Sequence, residues 1–253
     1  RAVRPEPVDA SGDAPVWTME RRGGTAVLTM PNWGLYNSKW DWGGWIDREM
    51  DRLIDDGVRR LVIDVRRNEG GLDCGDRIVA RMIDRPVAAS PYRRLVRYRR
   101  IPDDLRPRLD TWDRSFDDWG ADATPVDDRY LALKRGDEEG AVISPRGRRF
   151  ADEVAVLVGP QNSSATFQFA QLMRRERLGR LVGETTGGNR RGINGGAFYF
   201  LRLPATGLEV DLPLIGYFPS TPEPDGGLEP DETVRLTAAH VAAGRDLVLE
   251  AVA

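Results

Sequence analysis

Short apolar runs divide the chain. Thr25-Ala26-Val27-Leu28-Thr29-Met30, residues 60–65, residues 154–158 and residues 180–183 each read as a buried strand. Between the first two, residues 45–56 place Trp45, Ile46, Met50, Leu53 and Ile54 on one helical face, and Gly57 fits a helix stop. A polar glycine turn, Arg66-Arg67-Asn68-Glu69-Gly70-Gly71, follows the second run, and a helix is predicted over 73–83. After the third run, Gly159-Pro160-Gln161-Asn162 turns the chain into a helix carrying Ala165, Phe169, Leu172 and Met173 on one face. Residues 197–203 and 207–214 read as an antiparallel pair around Pro204-Ala205-Thr206-Gly207. The tail, 237–252, reads as helical with a break at Gly244. This order of strand, helix, strand, turn and helix predicts an α/β domain with a partly parallel sheet flanked by helices.

Two stretches fall outside that pattern. Residues 1–20, rich in Pro, Asp and Ala at the start, read as a linker or arm leading to a core over 21–253. Residues 85–148 mix Arg and Asp densely, with Pro102, Pro107 and Pro125 scattered through them. They read as an irregular insertion with a solvated surface, placed as a lid over the core.

Composition narrows the chemistry. At 253 residues the chain can form one large domain, and an apolar fraction of 40% supplies a core. The net charge of -3 offers no basic field for nucleic acid. No apolar run approaches the length of a membrane span. Cys74 is the single cysteine, so no disulfide forms within the chain, and no His/Cys/Asp cluster has metal-ligand spacing. No cofactor or metal is expected. The chain opens on Arg1 instead of Met, as processing or trimming would leave it.

Ser164 is the candidate for chemistry. It stands after a strand and a turn, at the start of a helix, where amides and the helix dipole favour negative charge. A hydroxyl there projects into the cleft at the carboxyl end of the sheet. The Gly70-Gly71 turn and the Ala165 amide can offer donors to a developing oxyanion. Taken singly, each feature has an ordinary reading: a Ser at a helix start is commonly an N-cap, and Gly-Gly is commonly a turn. Ser163 competes with Ser164 for either role.

Five segments, in order, resemble the C-terminal-processing (tail-specific) and tricorn-type serine peptidases. They are Asp64-Val65-Arg66-Arg67-Asn68-Glu69-Gly70-Gly71, Asn162-Ser163-Ser164-Ala165 after its strand, and Gly183-Glu184-Thr185-Thr186-Gly187-Gly188. The strand pair around Pro204 and the element Gly227-Leu228-Glu229-Pro230-Asp231 complete the set. Together they span about 25–83 and 150–252. The resemblance implies a crotonase- and ClpP-like α/β core and a serine endopeptidase. It places the nucleophile on Ser164 and the oxyanion hole on Gly70 or Gly71 with Ala165. It makes Glu223 the acidic partner, with Glu184 and Thr186 as supporting residues. It also implies a peptide or protein substrate and an exported, periplasmic or extracellular, bacterial protein; an oligomer is compatible with it.

The general base departs from the family pattern. Where the tail-specific branch carries Lys, this chain has Asn189, followed by Arg190 and Arg191. Asn accepts no proton usefully and Arg stays protonated. Lys39 and Lys134, the only lysines, lie outside the motif, and His240, the only histidine, lies in the tail and reads as a surface or packing residue. The expectation is therefore a His base upstream of Arg1, with these residues alone hydrolysing peptides poorly. The alternative is a non-catalytic relative that binds an apolar ligand or peptide on the same scaffold; an acyl-thioester enzyme of the same fold is a third. Trp33, Trp40, Trp42 and Trp45 read as core or cleft packing.

Overall fold

A computed structural model describes residues 12–90, 92–134 and 142–252. The chain begins with β1 (Thr18–Arg22), β2 (Thr25–Thr29), α1 (Trp42–Asp55), β3 (Arg60–Asp64), α2 (Cys74–Val79) and β4 (Val87–Ala88). It continues through β5 (Tyr92–Val96), β6 (Leu109–Asp110), β7 (Ala123–Pro125), β8 (Leu131–Leu133) and β9 (Val142–Ile143). Next come β10 (Glu153–Val158), α3 (Ser164–Arg175), β11 (Arg180–Gly183), β12 (Ile193–Arg202) and β13 (Glu209–Pro219). The last elements are β14 (Glu232–Thr233), α4 (Ala238–Ala242) and α5 (Leu247–Glu250). Of the described residues, 12–89, 142–188 and 227–252 form one compact unit; 90, 92–134 and 189–226 form another.

The first unit is built on a sheet ordered β1-β2-β3-β10-β11-β14. Every neighbouring pair is parallel except β1 with β2. Strands covered on both faces are apolar throughout, and β3 and β10 accordingly bury Leu61, Val62, Ile63 and 154–158. On one face Val27, Val62, Ala155, Leu157 and Val182 pack with Val248 and Val252 from the tail. α2 packs against α1 and α3, and α3 also lies on β11. At the start of α1 the Asp41 side chain accepts from the Gly44 N–H at 2.9 Å. After its end the chain passes through Gly57 at φ +66°, which suits glycine. Because the strands run parallel, the turns after β3, β10 and β11 gather at one edge of the sheet.

The second unit is an antiparallel sheet ordered β6-β12-β13-β5-β8-β7. The long hairpin β12–β13 carries a register shift between Gly195 and Phe198. Leu109, Phe116, Trp119, Leu133, Tyr199 and Ile215 bury in its core. Arg93 to Leu95 pair with 216–218 of β13, more than a hundred positions away.

The expected α/β class with a partly parallel sheet holds. The stretch 85–148 carries more regular structure than its composition announces: β5, β6, β7 and β8 all lie in it. β12 pairs with β6 and β13 with β5, partnerships invisible locally, and β8 and β7 add on beyond β5. Residues 1–11 of the expected arm lie outside the described residues, whereas 18–20 belong to β1 and Trp17 is buried. The helix expected over 73–83 is regular only through Val79. Among the described residues no helix is long and apolar enough to cross a membrane.

Candidate active site

Ser163 and Ser164 differ in backbone and in partners. Ser163 is extended, with φ -136° and ψ 177°, and its hydroxyl donates to the Glu69 carbonyl at 2.8 Å. Ser164 opens α3 at φ +47°, the left-handed region that a non-glycine residue seldom occupies. Such a conformation costs roughly 1–3 kcal/mol and persists where surrounding structure enforces it. A strand, a tight turn and a helix thus present an exposed Ser164, the arrangement by which strand-turn-helix nucleophiles lift their hydroxyl out of the backbone.

Gly70 touches that position. At φ +111° it already favours glycine, and a Cβ built there would stand 2.9 Å from the Ser164 Cβ and 3.1 Å from the Ala165 nitrogen. Gly71, at φ +133°, leaves no room either: its Cβ would lie 2.2 Å from the Trp33 carbonyl oxygen. Trp33 pairs with Gly71 as a parallel bridge, and the Leu72 N–H donates to Trp33 O at 2.9 Å. The structure therefore brings Ser164, Gly70 and Ala165 into direct proximity, with Gly71 next along the chain.

The amides there are unequal. The Gly70 N–H donates to Asn68 Oδ1 at 2.9 Å. The Thr166 and Phe167 amides both donate to Ser163 O, at 3.1 and 3.3 Å. The Gly71 and Ala165 amides have no hydrogen-bond partner among the described residues. The first-turn amides of a helix are available in this way because the helix itself supplies no acceptor.

A buried polar network holds these loops in place. Asn162 Nδ2 donates to Val65 O at 2.5 Å and to Asn68 O at 3.1 Å, while its Oδ1 accepts from the Gly159 N–H at 2.8 Å. The Gly187 and Gly188 amides both donate to Asn162 O at 2.9 Å. Asn68 Nδ2 donates to Met30 O at 2.8 Å, and the Thr166 hydroxyl reaches Asn68 O at 2.9 Å and Ser163 O at 2.8 Å. Buried polar groups must be satisfied, so these bonds fix the loops relative to one another. The structural weight of Asn68, Asn162 and Thr166 was not singled out by sequence; the only signal was that the first two lie inside the matched segments.

The remaining candidates are dispersed. The Thr186 hydroxyl accepts from the Leu228 N–H at 2.8 Å, and the Thr186 amide donates to Leu228 O at 3.1 Å, tying the 183–188 segment to 227–231. Glu184, half-buried beyond β11, lines a cavity of about 460 Å³ with Pro160, Thr185, Glu229, Pro230, Thr233 and Arg235. Glu223 is an exposed residue of the second unit, with no hydrogen bond or ion pair among the described residues. Asn189, also of that unit, donates to Asp225 at 2.8 Å and accepts from the Arg191 N–H at 2.9 Å. His240 sits beside Thr237, its Nδ1 3.0 Å from the Thr237 hydroxyl. Lys39 and Lys134 are exposed. Trp33 is buried against Phe169, while Trp40, Trp42 and Trp45 stack edge-on around Trp17, so the cluster is packing. Among the described residues no group of three or more His, Cys, Asp or Glu side chains is arranged to hold a metal ion.

A parallel-sheet α/β unit that turns an exposed, left-handed Ser toward a Gly-Gly loop defines a serine-hydrolase type of scaffold. Residues 24–233 match the sequence pattern of peptidase family S41, and the chain belongs to that family. No curated protein matched the chain by sequence. A putative peptidase from Parabacteroides merdae ATCC 43184 is similar in structure at 20% identity and TM-score 0.55, over 93% of this chain and 62% of that one. Mature CPAF complexed with lactacystin is similar at 17% identity and TM-score 0.60, over 87% of this chain and 48% of that one. This chain thus spans less than two thirds of either structure, and both likenesses speak to the fold. The expected kinship with C-terminal-processing and tricorn-type serine peptidases is borne out at the level of the family.

Proposed function

We propose that this chain is the catalytic core of a serine endopeptidase in which Ser164 is the nucleophile. The observation that carries the reading is the left-handed, exposed Ser164 packed against Gly70 beside the unpartnered Ala165 amide. Ser164 Oγ attacks the scissile carbonyl carbon, and the carbonyl oxygen becomes an oxyanion held by the Ala165 and Gly71 amides. Gly71 is preferred to Gly70 as second donor because the Gly70 amide is already committed to Asn68. Collapse of the tetrahedral species expels the amine, which leaves with a proton. Water then attacks the acyl-Ser164 ester and frees the acid. Asn189 cannot relay these protons, since both ends of its amide are engaged in a turn with Asp225 and Arg191. The base is a His supplied from outside the matched segments, with Glu223 as its acidic partner. Glu184 and Thr186 support the 183–188 segment. The substrate is a peptide or protein met outside the cytoplasm.

The test compares peptide hydrolysis by the full-length protein, its Ser164→Ala variant and the 253-residue chain alone. Turnover by the full-length form that disappears in the other two supports Ser164 and an external base. The engaged Asn189 favours a second reading, a relative that binds an apolar ligand or peptide without cleaving it. Absence of turnover from a folded full-length protein would move the assignment there.

A further inference from the structure

Arg66 lies between Asp64, two positions back, and Asp246, 180 positions on. Its Nε and Nη2 donate to Asp64 at 2.9 and 2.6 Å, and its Nη1 and Nη2 donate to Asp246, each at 2.7 Å. One guanidinium thus makes two forked pairs, a geometry that Lys cannot copy. Burial pulls its pKa down, but the hydrogen bonds and charges of both carboxylates outweigh burial and raise it. Asp246 also caps α5, accepting from the Leu249 N–H at 3.1 Å. Its carboxyl is held below the ordinary carboxylate range, first by the bond from Arg66. Beyond it, Val248 and Val252 bury against the sheet.

The place where this fork grips gives it a role. Val65 and Asn68, on either side of Arg66-Arg67, offer the carbonyls that hold Asn162. The Arg66 backbone also packs on the nucleophile turn, where a Cβ at Gly159 would lie 3.3 Å from Arg66 O. We propose that Arg66 is a positioning residue, clamped by Asp246 of the tail, that fixes loop 65–71 and so sets the acyl-transfer rate at Ser164. The catalytic half of this statement rests on the peptidase reading; the coupling of tail to loop does not. Helix α5 thereby becomes part of the oxyanion machinery.

The experiment uses full-length protein, with Asp246→Asn (same shape, no charge), Arg66→Lys (same charge, no fork) and Asp246→Glu. Two quantities are read: reaction with a peptidyl diphenyl phosphonate, split into inactivation rate and initial affinity, and amide hydrogen exchange over 65–71. In Asp246→Asn and Arg66→Lys, inactivation slows about 10-fold with affinity kept within about twofold, because misplacement costs rate before binding. Exchange over 65–71 quickens about 10-fold, and Asp246→Glu recovers most of both effects. A lowered melting temperature with exchange over 65–71 and inactivation rate unchanged would overturn the proposal and leave the fork a mere staple. Faster exchange in a protein whose wild-type form ignores the phosphonate would sink the peptidase reading and keep the clamp.

Discussion

Around the loop after β3, three short polar side chains are fully buried: Asn68 in the loop itself, Asn162 in the turn after β10 and Thr166 in α3 each show 0% exposure. All the bonds their side chains make run to backbone, four of the seven to another segment of the chain. The core of the second unit is buried by different means, with Phe116, Trp119, Tyr199 and Leu133 filling volume. Among its internal polar bonds, those of Tyr98 to Phe116 O at 2.8 Å and of Tyr199 to Asp117 at 3.0 Å come from the tips of large rings. Directional bonds to backbone place an atom within tenths of an ångström, whereas apolar volume holds a sheet together and tolerates repacking. The first region is built to hold a geometry; the second is built to hold a shape.

That contrast can be broken or sharpened by substitution. Ser164→Ala is the largest expected effect: peptide turnover by the full-length protein falls at least about 1000-fold while the circular dichroism spectrum is unchanged. Asn162→Ala comes next, since it leaves the Gly159 amide without its acceptor and takes one of two donors from each of Val65 O and Asn68 O. Chemical denaturation is expected to show a loss of roughly 3 kcal/mol, and turnover should fall with it. A loss under about 1 kcal/mol would mean that water replaces the network and that volume matters more than direction there.

Asp76 on α2 tests the same region through pH. Burial, then the charge of Asp73, raises its carboxyl from 3.8 to about 7. The folded chain therefore keeps this proton after the unfolded chain has lost it, and stability from this group declines as pH climbs from about 4 to about 7. Asp76→Asn removes the penalty: it should stabilise by roughly 1–3 kcal/mol at pH 8 and by nothing measurable near pH 4. Equal effects at both pH values would assign the change to packing. Phe116→Leu in the second unit is the smallest, costing about 1–1.5 kcal/mol by denaturation with folding cooperativity retained. A cost as large as that of Asn162→Ala would erase the distinction between the two regions.

How much of this was legible depends on where each partner lies. β2, β3, β10 and β11 announce themselves because a strand covered on both faces is apolar at every position. The Asn68-Glu69-Gly70-Gly71 turn and the Ser164-Ala165 step are readable as family segments, and their proximity through Gly70 is what the fold adds. The left-handed backbone at Ser164 has no local sign, since nothing in Asn162-Ser163-Ser164 favours positive φ at the third residue. The second sheet shows its central hairpin in the sequence, as the antiparallel pair read at 197–203 and 207–214, but its other strands were hidden for another reason. Tyr92–Val96 begins an arginine-dense stretch, and strands of two or three residues such as β6 and β8 fall below any periodicity window. Asp246 carries no signal of its role in the sequence because its partner is Arg66, far back along the chain.

The order of synthesis gives that last pairing a consequence. A ribosome delivers roughly 5–20 residues per second, so Arg66 waits about 9–36 seconds for Asp246 to be made. β14 and the two tail valines that seal the central sheet arrive equally late. During that interval β11 is an open edge, and the apolar face awaiting Val248 is uncovered. A nascent chain stalled before residue 246 would have made Ser164 and both glycines, yet it would lack the contact proposed to set them. Hydrolytic competence, on this view, is withheld until Asp246 has been made.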